Sequence, residues 1–209
     1  MNYTDTTKKL AEYRRQIDAL RAKMRTAQAA TEPQEVENYA LAAPEATTHL
    51  SDLFGKKDDL IVIHNMGASC VYCTLWADGY NGIYPHLADR AAFVVASPDP
   101  PATQQRFAAS RGWRFPMVSH QGTSFAADMG YRSEEGSWLP GICVFRRDGK
   151  RVLRVADAPL HPGDDFCALW HMFDMLQGGP GDWEPRFKYP ARTDVASRVA
   201  RPRSRLRKP

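Results

Sequence analysis

The stretch LIVIHNMGASCVYCTLW, residues 60–76, decides how this chain folds. Residues 60–66 form a short β-branched run bounded by Asp59 and Gly67, which reads as a buried strand. Cys70 and Cys73 follow at once, with two residues between them, and a helix-opening sequence comes next. A cysteine at such a junction lies beside unpaired backbone N–H groups and the positive end of the helix dipole. Both favour thiolate over thiol. The second cysteine stands one turn along the same helix, placed to attack a mixed disulfide formed at the first. The spacing therefore predicts a reversible dithiol in which Cys70 attacks and Cys73 resolves. Two rival readings are half of a zinc site and a pair of incidental buried thiols. Zinc normally needs a second pair of ligands at similar spacing. The other cysteines, Cys143 and Cys167, lie far apart in the chain, one in a predicted strand and one on the apolar face of a predicted helix. Both read as small core residues.

Outward from this stretch, strands and helices alternate. AAFVVAS (residues 91–97) and FPMVS (115–119) read as further strands, and SPDPP (97–101) as a turn leading into a helix over 102–111. GTSFAADMG (122–130) reads as a short helix and residues 139–156 as a hairpin turning at Asp148-Gly149. The segment 164–176 reads as an amphipathic helix that stops at the Gly178–Gly181 run. After the cysteines, helical patterns over 71–77 and 83–90 flank Gly79-Tyr80-Asn81-Gly82, where the helix should break. Residues 30–49 read as a connecting segment with an extended piece near Glu37–Leu41. Such alternation predicts a sheet covered by helices on both faces, made mixed by the closing hairpin.

Further out, residues 5–29 carry Leu10, Tyr13, Ile17, Leu20 and Met24 on one helical stripe. That stripe either packs on the main domain or pairs with a second copy, so a homodimer through this helix is one reading. Residues 190–209 carry seven basic residues against the single acid Asp194, so the net charge of +4 belongs to the tail. With almost no large apolar residue, the tail reads as a solvated end and not as a nucleic-acid-binding element. The expected organisation is an N-terminal helix and linker (1–34), a main domain (35–189) and a disordered basic tail (190–209).

With 209 residues, 43% apolar and 25% charged, the chain has the composition of a globular protein that needs no covalent staples. Four cysteines fit a reducing compartment. The charged N-terminus reads as no signal peptide, and no apolar run is long enough to span a membrane. A cytoplasmic protein with no membrane contact is the expectation. No glycine-rich phosphate loop is present, so neither a nucleotide nor a flavin is implied, and no cofactor or metal is expected.

Other residues near the motif have two readings each. His64, six residues before Cys70, either assists proton transfer or is a core histidine. Asp78 either relays a proton for Cys73 or belongs to turn chemistry. Ser69, Tyr72, Trp76 and Tyr80, with Leu139, are candidates to line a substrate groove. Leu139-Pro140 stands before a strand, where a cis bond would bring backbone beside Cys70 and a trans bond would be an ordinary strand start.

LIVIHNMGASCVYC and WLPGICVFRRDGK together resemble the thioredoxin-like superfamily. The resemblance implies a three-layer sandwich with a mixed central sheet and a thiol–disulfide oxidoreductase acting on protein or small-molecule thiols and disulfides. SDLFGKKDDLIVIHNM and FPMVSHQGTSFAADMGY look more like the peroxiredoxin side, with a longer insertion before the proline. More narrowly, GASCVYCTLWADGYNGIYPHLADRAAFVVASPDPP, WRFPMVSHQGTSFAADMGYRS and GDDFCALWHMFDML are similar to an uncharacterised bacterial family, domain of unknown function 899. That family is described as predicted dithiol–disulfide oxidoreductases. Departures matter: Ser69 stands where thioredoxin has Trp, and Val71-Tyr72 replace Gly-Pro. In peroxiredoxins a threonine or serine hydroxyl precedes the reactive cysteine by three residues, and here Gly67 holds that place. A thiol peroxidase is therefore the first alternative, and a non-enzymatic redox sensor or partner-binding module the second.

Overall fold

The computed structural model describes residues 2–190, so the expected basic tail lies, but for Pro190, outside the described residues. In chain order the elements are α1 (Tyr3–Ala29), β1 (Gln34–Val36), β2 (Ala40–Ala42), β3 (Thr47–His49), a 3-10 turn (Leu50–Phe54), β4 (Asp59–His64), α2 (Val71–Arg90), β5 (Ala92–Ser97), α3 (Pro101–Arg111), β6 (Met117–Ser119), α4 (Phe125–Asp128), β7 (Gly141–Asp148), β8 (Arg151–Pro159) and α5 (Ala168–Phe173). One sheet holds all the strands in the order β1-β8-β7-β4-β5-β6-β2-β3. Its centre, β4-β5-β6, is parallel, because α2 and α3 carry the chain back between strands. β7 pairs antiparallel with β4, and β8 with β7, so the sheet is mixed. This is the thioredoxin-like sandwich expected from the sequence.

The strand alternation divides the core. Leu60 and Val62 of β4 join Leu50, Phe54, Phe125 and Phe145 on one face. Ile61 and Ile63 face the other way, against Trp76, Ala77 and Tyr80 of α2 and Trp170 of α5. The three parallel strands end together, and the loop carrying Cys70 leaves from that edge.

Four local expectations are corrected. The first is the break at residues 79–82: α2 runs unbroken through Gly79, Gly82 and Pro85. Pro85 has no N–H to give the Asn81 carbonyl, but Arg114 Nη2 donates to that oxygen at 3.0 Å. The Asn81 side chain also donates to Gly112 O (3.0 Å) and accepts the Arg114 N–H (2.9 Å). Tertiary bonds thus hold the helix where local propensity would end it.

The second is the last helix, which is much shorter than the pattern over 164–176. The carboxylate of buried Asp164 accepts N–H groups from His161, Phe166 and Cys167 at 3.0, 2.8 and 3.1 Å, and this fixes a loop through residues that would otherwise be helical. Cys167 is therefore the residue before α5, not part of its apolar face. The third is the extended piece near 37–41, which is two separate strands, β1 and β2. The fourth is the hairpin turn, which falls at Gly149-Lys150, since Asp148 pairs with Arg151.

Helix α1 begins with Asn2 Oδ1 accepting the Asp5 N–H at 2.9 Å. Its stripe is not covered by the rest of the chain: Leu10 is 44% exposed and Met24 67%. Arg21 pairs with Asp165 at 2.7 Å and ties the helix to the body. Among the described residues no helix is long and apolar enough to cross a membrane.

Candidate active site

Cys70 is the N-cap of α2, with extended backbone (φ −88°, ψ 108°). Its Sγ accepts the Cys73 N–H at 3.0 Å, and its carbonyl accepts the Thr74 N–H at 3.0 Å. The sulfur therefore takes one of the donors that a helix start leaves open. Hydrogen bonds from the Cys73 thiol and from the backbone of Cys73 and Tyr72 outweigh burial and bring the Cys70 thiol down to about 7. The same thiol–thiol hydrogen bond, with burial and the charge of Cys70, pushes Cys73 well above the ordinary thiol range. Cys70 is half-buried and Cys73 buried. One reachable thiolate and one inner thiol holding a proton toward it make a pair able to cycle between dithiol and disulfide.

The loop that delivers Cys70 is bonded at almost every amide. Met66 N–H points at Cys73 Sγ (3.4 Å), Gly67 N–H donates to Asn65 Oδ1 (2.8 Å), Ala68 N–H to Asp99 Oδ2 (2.7 Å) and Cys70 N–H to Gly67 O (3.1 Å). Gly67 has φ +104°, a conformation that favours glycine.

The residues singled out from the sequence separate into two groups. Ser69 is exposed and Tyr72 half-buried, both flanking Cys70. Leu139 is exposed, and Pro140 precedes Gly141, the β7 partner of His64, so both stand at the sheet end from which the Cys70 loop leaves. The Leu139–Pro140 bond is trans, as are all peptide bonds among the described residues. Pro140 instead gives its carbonyl to the Leu160 N–H at 3.1 Å.

The second group faces elsewhere. Trp76 and Tyr80 are buried in the core between α2 and the sheet and line no open groove. Trp76 Nε1 donates to Asp164 Oδ1 at 3.3 Å. Asp78 is committed to α3 and the segment after it: it forms an ion pair with Arg111 and accepts Trp113 Nε1–H at 2.8 Å. It is a clamp between helices, not a relay for Cys73. His64 follows the register of Leu60 and Val62, so its ring lies on the face away from α2. There it stacks on Tyr131 (4.3 Å between centroids) and leans on Phe125 (5.1 Å). Both ring nitrogens are buried without a partner, and burial pushes the imidazole down to about 3. A neutral ring behind the sheet is not placed to move protons at Cys70.

Sequence reasoning passed over Asn65, Asp99 and Asp164, three side chains that organise the region. Asp99 stands among prolines in SPDPP, a composition that announces a turn and hides a carboxylate aimed at a loop 31 positions earlier. Cys143 is fully buried with Leu60 and Val62, and burial pushes its thiol up to about 12. Among the described residues no three His, Cys, Asp or Glu side chains are grouped to hold a metal ion.

Solved structures share this architecture. A cysteine-to-serine mutant of peroxiredoxin Q from Xanthomonas campestris superposes with a TM-score of 0.53 at 17% identity, covering 63% of this chain and 87% of that one. Peroxidoxin BcpB of Mycobacterium tuberculosis gives 0.50 at 24% identity, over 61% and 84% of the two chains. Enterococcus faecalis AhpC gives 0.50 at 15% identity, over 63% and 82%. At these identities the likeness is one of fold. No curated protein matches the chain in sequence. The profile of the family described as "Bacterial protein of unknown function (DUF899)" matches residues 5–194, and the chain belongs to that family.

Proposed function

We propose that the protein is a two-cysteine thiol redox enzyme in which Cys70 attacks an electrophile and Cys73 closes the disulfide. The observation that carries this reading is the pair of opposed thiols at the start of α2: Cys70 is brought down to about 7 while Cys73 is pushed up.

The electrophile supported first is a hydroperoxide, because the fold neighbours named above are peroxiredoxins. The Cys70 thiolate would attack the terminal oxygen, forming S–O and breaking O–O; the departing alkoxide takes a proton and leaves as alcohol. Cys73 would then attack the sulfenic acid, forming the disulfide and releasing water. An external dithiol returns the two electrons. The Cys-x-x-Cys spacing and Gly67, which brings no hydroxyl to orient a peroxide, favour a disulfide electrophile as the second reading. There Cys70 forms a mixed disulfide with release of one thiolate, and Cys73 displaces the other.

Rapid mixing of the reduced protein with hydrogen peroxide, and separately with a disulfide substrate, decides between them. The first reading expects Cys70-dependent peroxide consumption and a Cys70–Cys73 disulfide by mass; Cys73→Ser should accumulate a sulfenic acid on Cys70. A mixed disulfide trapped on Cys70 with no peroxide turnover supports the second reading. Failure of Cys70 and Cys73 to form one intramolecular disulfide under either oxidant sinks both.

A further inference from the structure

We propose that Asp99 is a positioning residue for Cys70: its carboxylate fixes the backbone loop that sets Cys70 at the start of α2. The inference rests on the reading of Cys70 as the attacking thiol.

Three of the four bonds in the Cys70 loop are local, made by Asn65, Cys73 and Gly67. Only the bond from Ala68 N–H to Asp99 Oδ2, 2.7 Å long, reaches another part of the fold. The carboxylate also packs on Gly67: a Cβ there would stand 2.9 Å from Oδ2 and 3.1 Å from Oδ1. Asp99 thus touches both loop residues whose backbone angles decide where Cys70 points. An amide-to-carboxylate bond is stronger than one between neutral groups.

The arm that carries Asp99 is stiff. Pro98, Pro100 and Pro101 surround it, and each fixes its own φ. Ser97 Oγ receives the Asp99 N–H (3.4 Å) and the Gln104 amide (2.8 Å), and the same Gln104 nitrogen donates to Val118 O (2.8 Å). β5, β6 and α3 are therefore bound together beneath the carboxylate. Its negative charge opposes a neighbouring thiolate. The benefit it brings to Cys70 is geometric: without it, Gly67 is free to turn, and Cys70 Sγ drifts from the Cys73 N–H that holds it.

The test is the pH dependence of Cys70 alkylation by iodoacetamide in the full chain, read by peptide mass, with unfolding temperature measured in parallel. The groups that set the wild-type midpoint are the Cys73 thiol and the backbone of Cys73 and Tyr72. Asp99→Ala should raise the midpoint and slow alkylation at pH 7 about fivefold, the loss of thiolate expected from a one-unit rise. Asp99→Asn keeps an oxygen for Ala68 N–H and should stay within about twofold of wild type, rescuing the alanine variant. Should Asp99→Ala fail to fold, Asp99→Ser, whose hydroxyl is too short to reach Ala68, takes its place. Unchanged alkylation in Asp99→Ala, or faster alkylation in Asp99→Asn, overturns the inference. A wild-type Cys70 midpoint in the ordinary thiol range overturns the proposed function itself, and with it the ground of this inference.

Discussion

The Tyr131 ring lies across Gly141: a Cβ at position 141 would stand 1.8 Å from Cε1 and 2.3 Å from Cζ. The ring cannot step aside cheaply, since its hydroxyl donates to Ile142 O (3.0 Å) and Ala158 O (3.1 Å) and its other face stacks on His64. Gly141→Ala is expected to cost about 2–3 kcal/mol, the range for overpacking a well-filled core. Tm should fall by on the order of 5–10 °C for a chain of this size. Adding Tyr131→Leu should recover part of the loss, so the two costs will not add. Thermal melts of the single and double variants check this.

Cys73 supplies the largest single contribution to the lowered Cys70 thiol. Cys73→Ala removes the thiol hydrogen bond but leaves the backbone N–H in place. The Cys70 midpoint should rise from about 7 toward the ordinary thiol value, by on the order of one unit. Ultraviolet titration of the thiolate measures it directly. A midpoint that stays where it was would transfer the effect to the helix start alone.

His64 makes stability depend on acid. Its imidazole takes a proton near pH 3 in the folded chain and near 6.5 when unfolded, so between those values the unfolded state binds more protons. The stability is fully present above about pH 6.5 and is lost as pH falls toward 3. His120, lowered to about 4 mainly by burial, acts in the same direction. His64→Leu, close in volume, should move acid unfolding to lower pH and leave Cys70 reactivity unchanged, because the ring faces away from α2. Fluorescence-monitored acid titration and an alkylation assay on the same samples read both.

Pro85 and Arg114 should be coupled. Arg114→Ala strips the partner from the Asn81 carbonyl and is expected to cost about 1–2 kcal/mol. In a Pro85→Ala background an amide returns to that carbonyl, and the Arg114→Ala penalty should shrink. Equal penalties in the two backgrounds, from urea unfolding, would show that Arg114 works through some other contact.

The sequence carried the central frame well, for a reason visible in β4 and β5. Continuous apolar runs between turn residues have few alternatives, and α3 begins at Pro101, close to where the proline pattern suggested. Cys70 at the N-cap was legible because strand, cysteine and helix follow one another locally. What local pattern could not carry is long-range satisfaction. Asn81 and Arg114 rescue α2 from Gly79, Gly82 and Pro85; Asp164 shortens α5; Asp99 reaches the Cys70 loop from a distant turn. His64 and Asp78 were read by closeness in sequence to the cysteines, but strand alternation sends one behind the sheet and helix periodicity turns the other toward Arg111.

Both rims of the sheet, β1 and β3, are only three residues long. A neighbouring chain seeking to extend the ladder would find a ledge with few backbone groups to grip, a known guard against edge-to-edge aggregation. Any macromolecule that meets this protein for thiol exchange must therefore approach end-on, over the tips of the parallel strands where Cys70 is reached, and not by lying alongside.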